Sequence, residues 1–98
     1  MAPARSKAPV LSGTVVVTGG VLSSELGTEH VLLNLRDSTY YGLEEAGSDI
    51  WKLIQKPITV AELCRRITDT YDVDPERCRL DIGNLLRDLV DRGLVDLR

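Results

Sequence analysis

The chain has 98 residues, of which 43% are hydrophobic and 28% charged, and these values predict one globular domain with a modest core. Twelve basic residues against 15 acidic residues give a net charge of −3, which argues against a protein that coats nucleic-acid backbones. No apolar run approaches the ~20 residues of a membrane-spanning helix and no signal-peptide core is present, so we expect a cytoplasmic protein without a membrane partner.

The beginning of the chain lacks the periodicity of a folded element. Residues 1–12 contain two prolines and several small residues, which predicts a flexible arm ahead of a domain that spans residues 13–98. The β-branched run Val15–Val17 then predicts a first strand, and a turn over residues 18–20 follows it.

A hairpin is the clearest β signal in the chain. Residues 30–35 and 39–43 are two short apolar runs, and the polar residues 36–38 between them predict a tight turn. Residues 23–27 show no consistent pattern and are interpreted as a loop. Val21 and Leu22, just before them, either extend the first strand or pair elsewhere.

The alternation of side chains indicates how this hairpin is covered. Val31, Leu33 and Leu35 share one face of its first strand, and Leu32 and Asn34 share the other. The first set is wholly apolar. The sheet therefore has one clearly apolar side, which we expect helices to cover.

Helical periodicity begins after the hairpin. A first helix is predicted over residues 45–55, and Pro57 ends it. A second helix begins at Thr59, which forms a capping box with Glu62. Its apolar positions recur at helical spacing, which predicts that one face is buried.

The third helix carries signals at both ends. Asp74 is placed as its N-cap, Pro75 occupies the first helical position, and Gly93 follows its last residue near Arg92. A short apolar tail, residues 94–97, then returns across the core. The element order predicts an α+β domain of the winged helix-turn-helix type, with a three-stranded antiparallel sheet followed by three helices.

The residue types of catalytic and metal sites are scarce. Cys64 and Cys78 lie on apolar helix faces and are expected to pack in the core, and His30 is expected to be solvated or partly packed. No metal-ligand spacing, phosphate-binding loop or nucleophile with an oriented base is present. We therefore predict a protein that is not an enzyme and has neither a cofactor nor a bound metal.

Nucleic-acid binding is the alternative that a winged helix-turn-helix raises. The recognition helix would be the third one, residues 75–92, where four arginines are balanced by four acidic residues. A recognition helix that binds DNA needs a net basic face. We therefore expect no nucleic-acid partner, although a winged-helix transcription regulator remains the alternative from another functional class.

The second hairpin strand is the candidate binding element. A chain this short leaves an edge of its sheet open, and an extended peptide can pair with such an edge. Tyr40 and Tyr41 would flank the peptide, and Gly42 would let its backbone approach closely. Composition alone leaves equally open that the tyrosines are ordinary half-buried sheet residues.

An ordered series of short motifs runs through the chain. Its members are Val31-Leu32-Leu33-Asn34-Leu35, Thr39-Tyr40-Tyr41-Gly42-Leu43, Gly47, Ile50-Trp51, Thr59-Val60-Ala61-Glu62-Leu63, Tyr71-Asp72-Val73-Asp74-Pro75-Glu76 and Arg92-Gly93-Leu94-Val95. With this series the chain resembles the PqqD-like family, whose members are the recognition elements for ribosomally made and modified peptides. The resemblance covers residues 14–97 and is strongest to the stand-alone members of lasso-peptide biosynthesis.

The resemblance implies a binding mode. Members of the family bind the leader segment of a precursor peptide as an added antiparallel strand, in a groove closed by the third helix. Carried over to this chain, the strand is Thr39, Tyr40, Tyr41, Gly42 and Leu43. The groove wall is then either Arg79, Ile82 and Leu86, or Asp81 and Leu85.

The resemblance also implies partners. The module would present its leader peptide to a separate processing enzyme, which for lasso peptides is a leader-cleaving cysteine protease. The alternative is a PqqD-type chaperone for another peptide-modifying enzyme, such as a radical enzyme. Residues 31–37 depart from the Val-Leu-Leu-Tyr-Pro-Glu-Gly run of pyrroloquinoline quinone synthesis, which argues against a role in that pathway.

Overall fold

The structure is a computed structural model that describes residues 8–98. Its elements are β1 (Thr14–Val17), β2 (Val21–Leu26), β3 (Glu29–Asn34), β4 (Thr39–Glu44), α1 (Ala46–Leu53), β5 (Ile58–Thr59), α2 (Val60–Thr70), α3 (Pro75–Asp91) and β6 (Val95–Leu97). Of the arm predicted for residues 1–12, residues 1–7 lie outside the described residues. Val10 belongs to the core, with 4% of its surface exposed.

The strands form two antiparallel three-stranded sheets, where the sequence predicted one. Their orders are β5-β1-β6 and β2-β3-β4. The loop predicted over residues 23–27 was wrong, because most of this segment belongs to β2, which pairs with β3 along its whole length. Five of the six β2 residues are exposed, so the strand carries no apolar pattern by which the sequence could reveal it.

The predicted hairpin is confirmed, but its buried face is the opposite of the expected one. Leu32 is fully buried and points into the core, while Val31 and Leu33 are only half-buried on the outer face. Leu35 lies in the turn that joins β3 to β4 and is 52% exposed. The outer face instead carries an open depression of about 330 Å³, lined in part by Leu33 and Tyr40.

Two polar residues share the buried face of β3, which is why the apolar pattern misled. His30 is buried rather than solvated, and its Nδ1 forms a hydrogen bond with Ser48 of α1. Asn34 donates from Nδ2 to the Arg92 carbonyl oxygen at 2.9 Å and accepts from the Arg36 backbone N–H at 3.0 Å. Because their polar atoms have partners, these side chains can be buried at little cost.

The N-cap signals of the second and third helices are confirmed. Thr59 Oγ1 accepts from the Glu62 backbone N–H at 3.1 Å, and Asp74 accepts from the Arg77 N–H at 2.9 Å, so both predicted N-caps form. Gly93 follows α3 with a φ of +74°, a conformation that glycine adopts without strain. The first helix is shorter than predicted and ends at Leu53.

The three helices and the two sheets enclose one core in a winged-helix-like α+β fold. Cys78 is part of this core, and Cys64 is half-buried beside it, where burial raises the pKa of its thiol. Among the helices of residues 8–98, none combines the length and the apolar character needed to cross a bilayer.

Candidate functional site

The β2-β3-β4 sheet has two free edges, β4 and β2, and side chains on each of them contact a helix. β4 pairs with β3 on one side and with no other strand of the described chain on its second side. Tyr41 and Leu43 connect this second side to α3 and α1. The opposite edge is β2, where Glu25 forms an ion pair with Lys52 of α1 at 3.2 Å.

The register of the sheet determines which backbone groups of β4 are free. The Leu35 N–H donates to the Gly20 carbonyl oxygen at 2.9 Å, so the odd-numbered β3 residues are bonded to β2. Because bonding direction alternates along an antiparallel strand, the even-numbered β3 residues bond to β4. On β4 the N–H and C=O groups of Tyr40, Gly42 and Glu44 therefore point away from the sheet.

Tyr41 joins this edge strand to α3. Its hydroxyl donates a hydrogen bond to Asp88 Oδ2 at 2.6 Å, and the Arg92 guanidinium lies 4.8 Å from the centre of its ring. Burial of the phenol, together with the hydrogen bond to Asp88, raises the pKa of Tyr41 to about 12. The side chain thus spans from the strand to the helix as a neutral phenol.

An apolar contact lies on the same side of β4, nearer to α1. Leu43 is 4% exposed, and a Cβ built on Gly47 would lie 3.3 Å from Leu43 Cδ2 and 3.9 Å from Leu85 Cδ2. Leu43, Gly47 and Leu85 therefore adjoin one another where β4, α1 and α3 meet. The contact is tight, because a methyl group at Gly47 would already require the Leu43 side chain to shift slightly.

The structure separates the two α3 flanks that the sequence left open. Ile82 and Leu86 are core residues with 3% and 0% of their surface exposed, so they offer no surface to a ligand. Arg79 is next to them on the helical wheel, away from β4. Asp81, which is exposed, and Leu85, which is half-buried, lie on the flank that continues to Asp88.

The remaining predicted residues lie at the surface of β4. Tyr40 is 68% exposed on the outer face of the sheet, and Gly42 lies beside it with open space around its Cα. Thr39 begins the strand, and both its backbone N–H and its hydroxyl donate to Asp37 Oδ1, at 3.1 and 2.7 Å. These hydrogen bonds lower the pKa of Asp37.

Three residues near the edge were missed by the sequence reasoning. Asp88 and Arg92 contact Tyr41, and Glu44 carries one of the outward backbone pairs. Asp88 and Arg92 follow Asp81 at intervals of seven and 11 residues, so helical spacing from the predicted flank would have found them. Glu44 was missed because its strand was predicted to end at Leu43.

The charges of α3 are paired within the helix. Ion pairs of 2.8 to 3.8 Å join Arg77 to Asp81, Arg79 to Glu76, Arg87 to Asp91 and Arg92 to Asp88. Each arginine thus has an acidic neighbour, which does not favour a phosphate-binding face. Among residues 8–98, no group of three or more histidine, cysteine or acidic side chains could hold a metal ion.

Comparisons with known proteins identify relatives of this fold. The family model described as coenzyme PQQ synthesis protein D (PqqD) matches residues 29–95. The structure of TbiB1 in complex with the TbiA(beta) leader peptide is 32% identical, with a TM-score of 0.78, and the match covers 83% of this chain and 94% of TbiB1.

A second solved structure is similar in fold. A lasso peptide synthetase B1 complexed with its leader peptide shares 20% identity at a TM-score of 0.74, covering 84% of this chain and 96% of the other. A search of curated protein sequences gives no significant match.

Proposed function

This chain belongs to the PqqD family, and on that premise we propose that it binds the leader segment of a ribosomally made precursor peptide and delivers it to a processing enzyme. The relative at 32% identity is captured in a complex with a leader peptide, and its fold matches most of this chain. The fold similarity extends to a B1 protein of lasso peptide synthesis that is also complexed with its leader.

The leader binds as an additional strand beside β4. The observation that carries this proposal is the direction of the backbone groups: the N–H and C=O groups of Tyr40, Gly42 and Glu44 face the free edge, where no strand of residues 8–98 pairs with them. Main-chain hydrogen bonds to such an edge supply affinity, and pockets for alternate side chains supply specificity. The β2 edge is the less suitable one, because five of its six residues are exposed and its ion pair with α1, Glu25 to Lys52, lies at the surface.

The helix flank beside β4 selects the leader side chains. Leader residues that point towards the core would lie between β4 and the α3 residues Asp81 and Leu85. Leu85 is half-buried and apolar, so it favours an aliphatic or aromatic leader side chain beside it. Arg79, Ile82 and Leu86 are not part of this wall in our proposal.

Delivery then depends on effective concentration rather than on chemistry in this chain. A leader held at β4 keeps the attached core peptide close to any enzyme that binds the same module, which raises its local concentration into the millimolar range for a short linker. The proposed enzyme is a separate leader peptidase. Another peptide-modifying enzyme could take the place of the peptidase, and the β4 site would bind the leader in the same way.

Substitutions at Gly42 test whether the leader binds as an added strand. Gly42→Pro removes the outward N–H while leaving the β3 pairing intact, and proline is tolerated at such an edge position. We expect affinity for the TbiA(beta) leader and for the leader of the second B1 complex to fall at least ~10-fold, measured by isothermal titration calorimetry. Gly42→Ala is the matched control, because it keeps the N–H and its Cβ meets open space.

Two results would overturn the proposal. Equal affinity of the proline and alanine variants for a leader would exclude a backbone bond at Gly42 and so argue against strand addition. If the wild-type chain bound neither leader, that result would argue against leader recognition itself. Circular dichroism of each variant confirms that the comparison is made between folded proteins.

A further inference from the structure

A short segment ahead of β1 lies across α3. The Val10 N–H donates to the Gly83 carbonyl oxygen at 2.9 Å, and Arg87 Nε donates to the Ala8 carbonyl oxygen at 3.1 Å. The Val10 side chain is 4% exposed and is part of the core. Residues 8–11 are called the N-terminal strap here, because both hydrogen bonds connect them to one flank of the helix.

Gly83 is the position that allows the strap to lie so close. A Cβ at this residue would be 2.8 Å from the Val10 carbonyl oxygen and 2.9 Å from Pro9 Cβ. Contacts this short do not occur, so any other residue would displace the strap. Glycine is among the least favourable residues in a helix interior, and its place in the middle of α3 is explained by this close approach.

The strap and the leader site lie on different flanks of the same helix. Gly83 and Arg87 contact the strap, whereas Leu85 and Asp88 lie on the flank beside β4. Across that second flank, the Tyr41 side chain connects the helix to the strand. The helix is therefore held from both sides, by the strap on one and by β4 on the other.

We propose that the N-terminal strap positions α3 for leader binding, with Gly83 as the positioning residue. The proposal rests on the proposed function, since it assigns the strap a role at that same site. When the strap is seated, α3 stays at the distance from β4 that the Tyr41 to Asp88 hydrogen bond requires. When the strap is displaced, the helix moves and the groove loses its shape.

Gly83→Ala tests this role without removing any part of the chain. Alanine favours the helix, so α3 itself should persist, but its Cβ should displace the strap. We expect faster hydrogen exchange at the Val10 amide, shifted NMR signals of the Tyr41 ring, and a five- to ten-fold weaker affinity for the TbiA(beta) leader. Asn84→Ala is the matched control, because Asn84 is exposed on the same helix and should change none of these.

The readouts separate the possible failures. The Tyr41 ring signals are measured without leader, so failure of the wild-type chain to bind leader would contradict the proposed function and leave the effect of the strap on α3 measurable. A displaced strap with unchanged Tyr41 signals and unchanged leader affinity would overturn the positioning role. An unchanged Val10 amide in Gly83→Ala would show that Gly83 does not hold the strap.

Val10→Ala provides a second route to the same state. It weakens the core anchor of the strap while Gly83 stays glycine, and it should move the Tyr41 ring signals in the same direction as Gly83→Ala. A leader affinity equal to that of the wild type, in a variant whose strap amides exchange rapidly, would again contradict the proposal.

Discussion

The hydroxyl of Tyr41 donates to the Asp88 carboxylate at 2.6 Å and thereby joins the free edge strand of the sheet to the third helix. The Arg92 guanidinium faces the same ring and pairs with Asp88 at 3.2 Å. These three side chains link two elements that are far apart in the sequence. They therefore define the distance between β4 and α3 in the free protein.

This linkage predicts a dependence of stability on alkaline pH. Burial and the Asp88 hydrogen bond raise the pKa of Tyr41 from 10.0 to about 12, so the folded state favours the neutral phenol. The resulting stabilisation is complete below pH 10 and is lost as the pH rises through about 12. Urea unfolding of the wild type across this range should show the loss. Tyr41→Phe should lack this component, and an equal pH dependence in both proteins would contradict it.

Leu85, on the α3 flank beside β4, should contribute to the affinity for a leader peptide. Leu85→Ala removes an apolar side chain beside β4 and should weaken leader binding about five- to ten-fold, or about 1–1.4 kcal/mol. Leu80→Ala is the matched control, since Leu80 is 37% exposed on the same helix, away from β4. Fluorescence anisotropy with a labelled TbiA(beta) leader measures both. A larger effect of Leu80→Ala would place the binding surface elsewhere on α3.

The buried face of β3 predicts a contrast between neighbouring residues. Leu32 is fully buried, so Leu32→Ala should lower the free energy of unfolding by about 2–5 kcal/mol. Leu33 lies on the outer face, and Leu33→Ala should cost less than about 1 kcal/mol. Chemical denaturation of the two variants measures the difference. Equal losses would mean that the sheet buries both faces.

Local signals predicted the helices well, because caps and breakers act within a few residues. Thr59 and Asp74 bond to backbone N–H groups three residues away, and Gly93 adopts the positive φ that its position requires. Such short-range interactions are visible in sequence spacing alone. Strand β2 was missed because its backbone pairing with β3 depends on residues that no local spacing in its own sequence indicates.

The buried face of the hairpin could not be predicted from apolar residues alone. His30 and Asn34 occupy it because Ser48 and the Arg92 carbonyl, both distant in sequence, satisfy their polar atoms. Likewise, only one part of the candidate site could be predicted from the sequence. The sequence indicated the edge strand, whereas the α3 flank depends on how the helix is rotated in the fold.

Hydrogen exchange at individual β4 amides, with and without the TbiA(beta) leader, tests strand addition most directly. In the free protein the Tyr41 and Leu43 amides face β3 and should already exchange slowly. Addition of the leader should slow exchange at Tyr40, Gly42 and Glu44, so that protection extends to every residue of the strand. Unchanged exchange at these three amides in the leader-bound protein, or slowing instead at the outward amides of β2, would contradict the account.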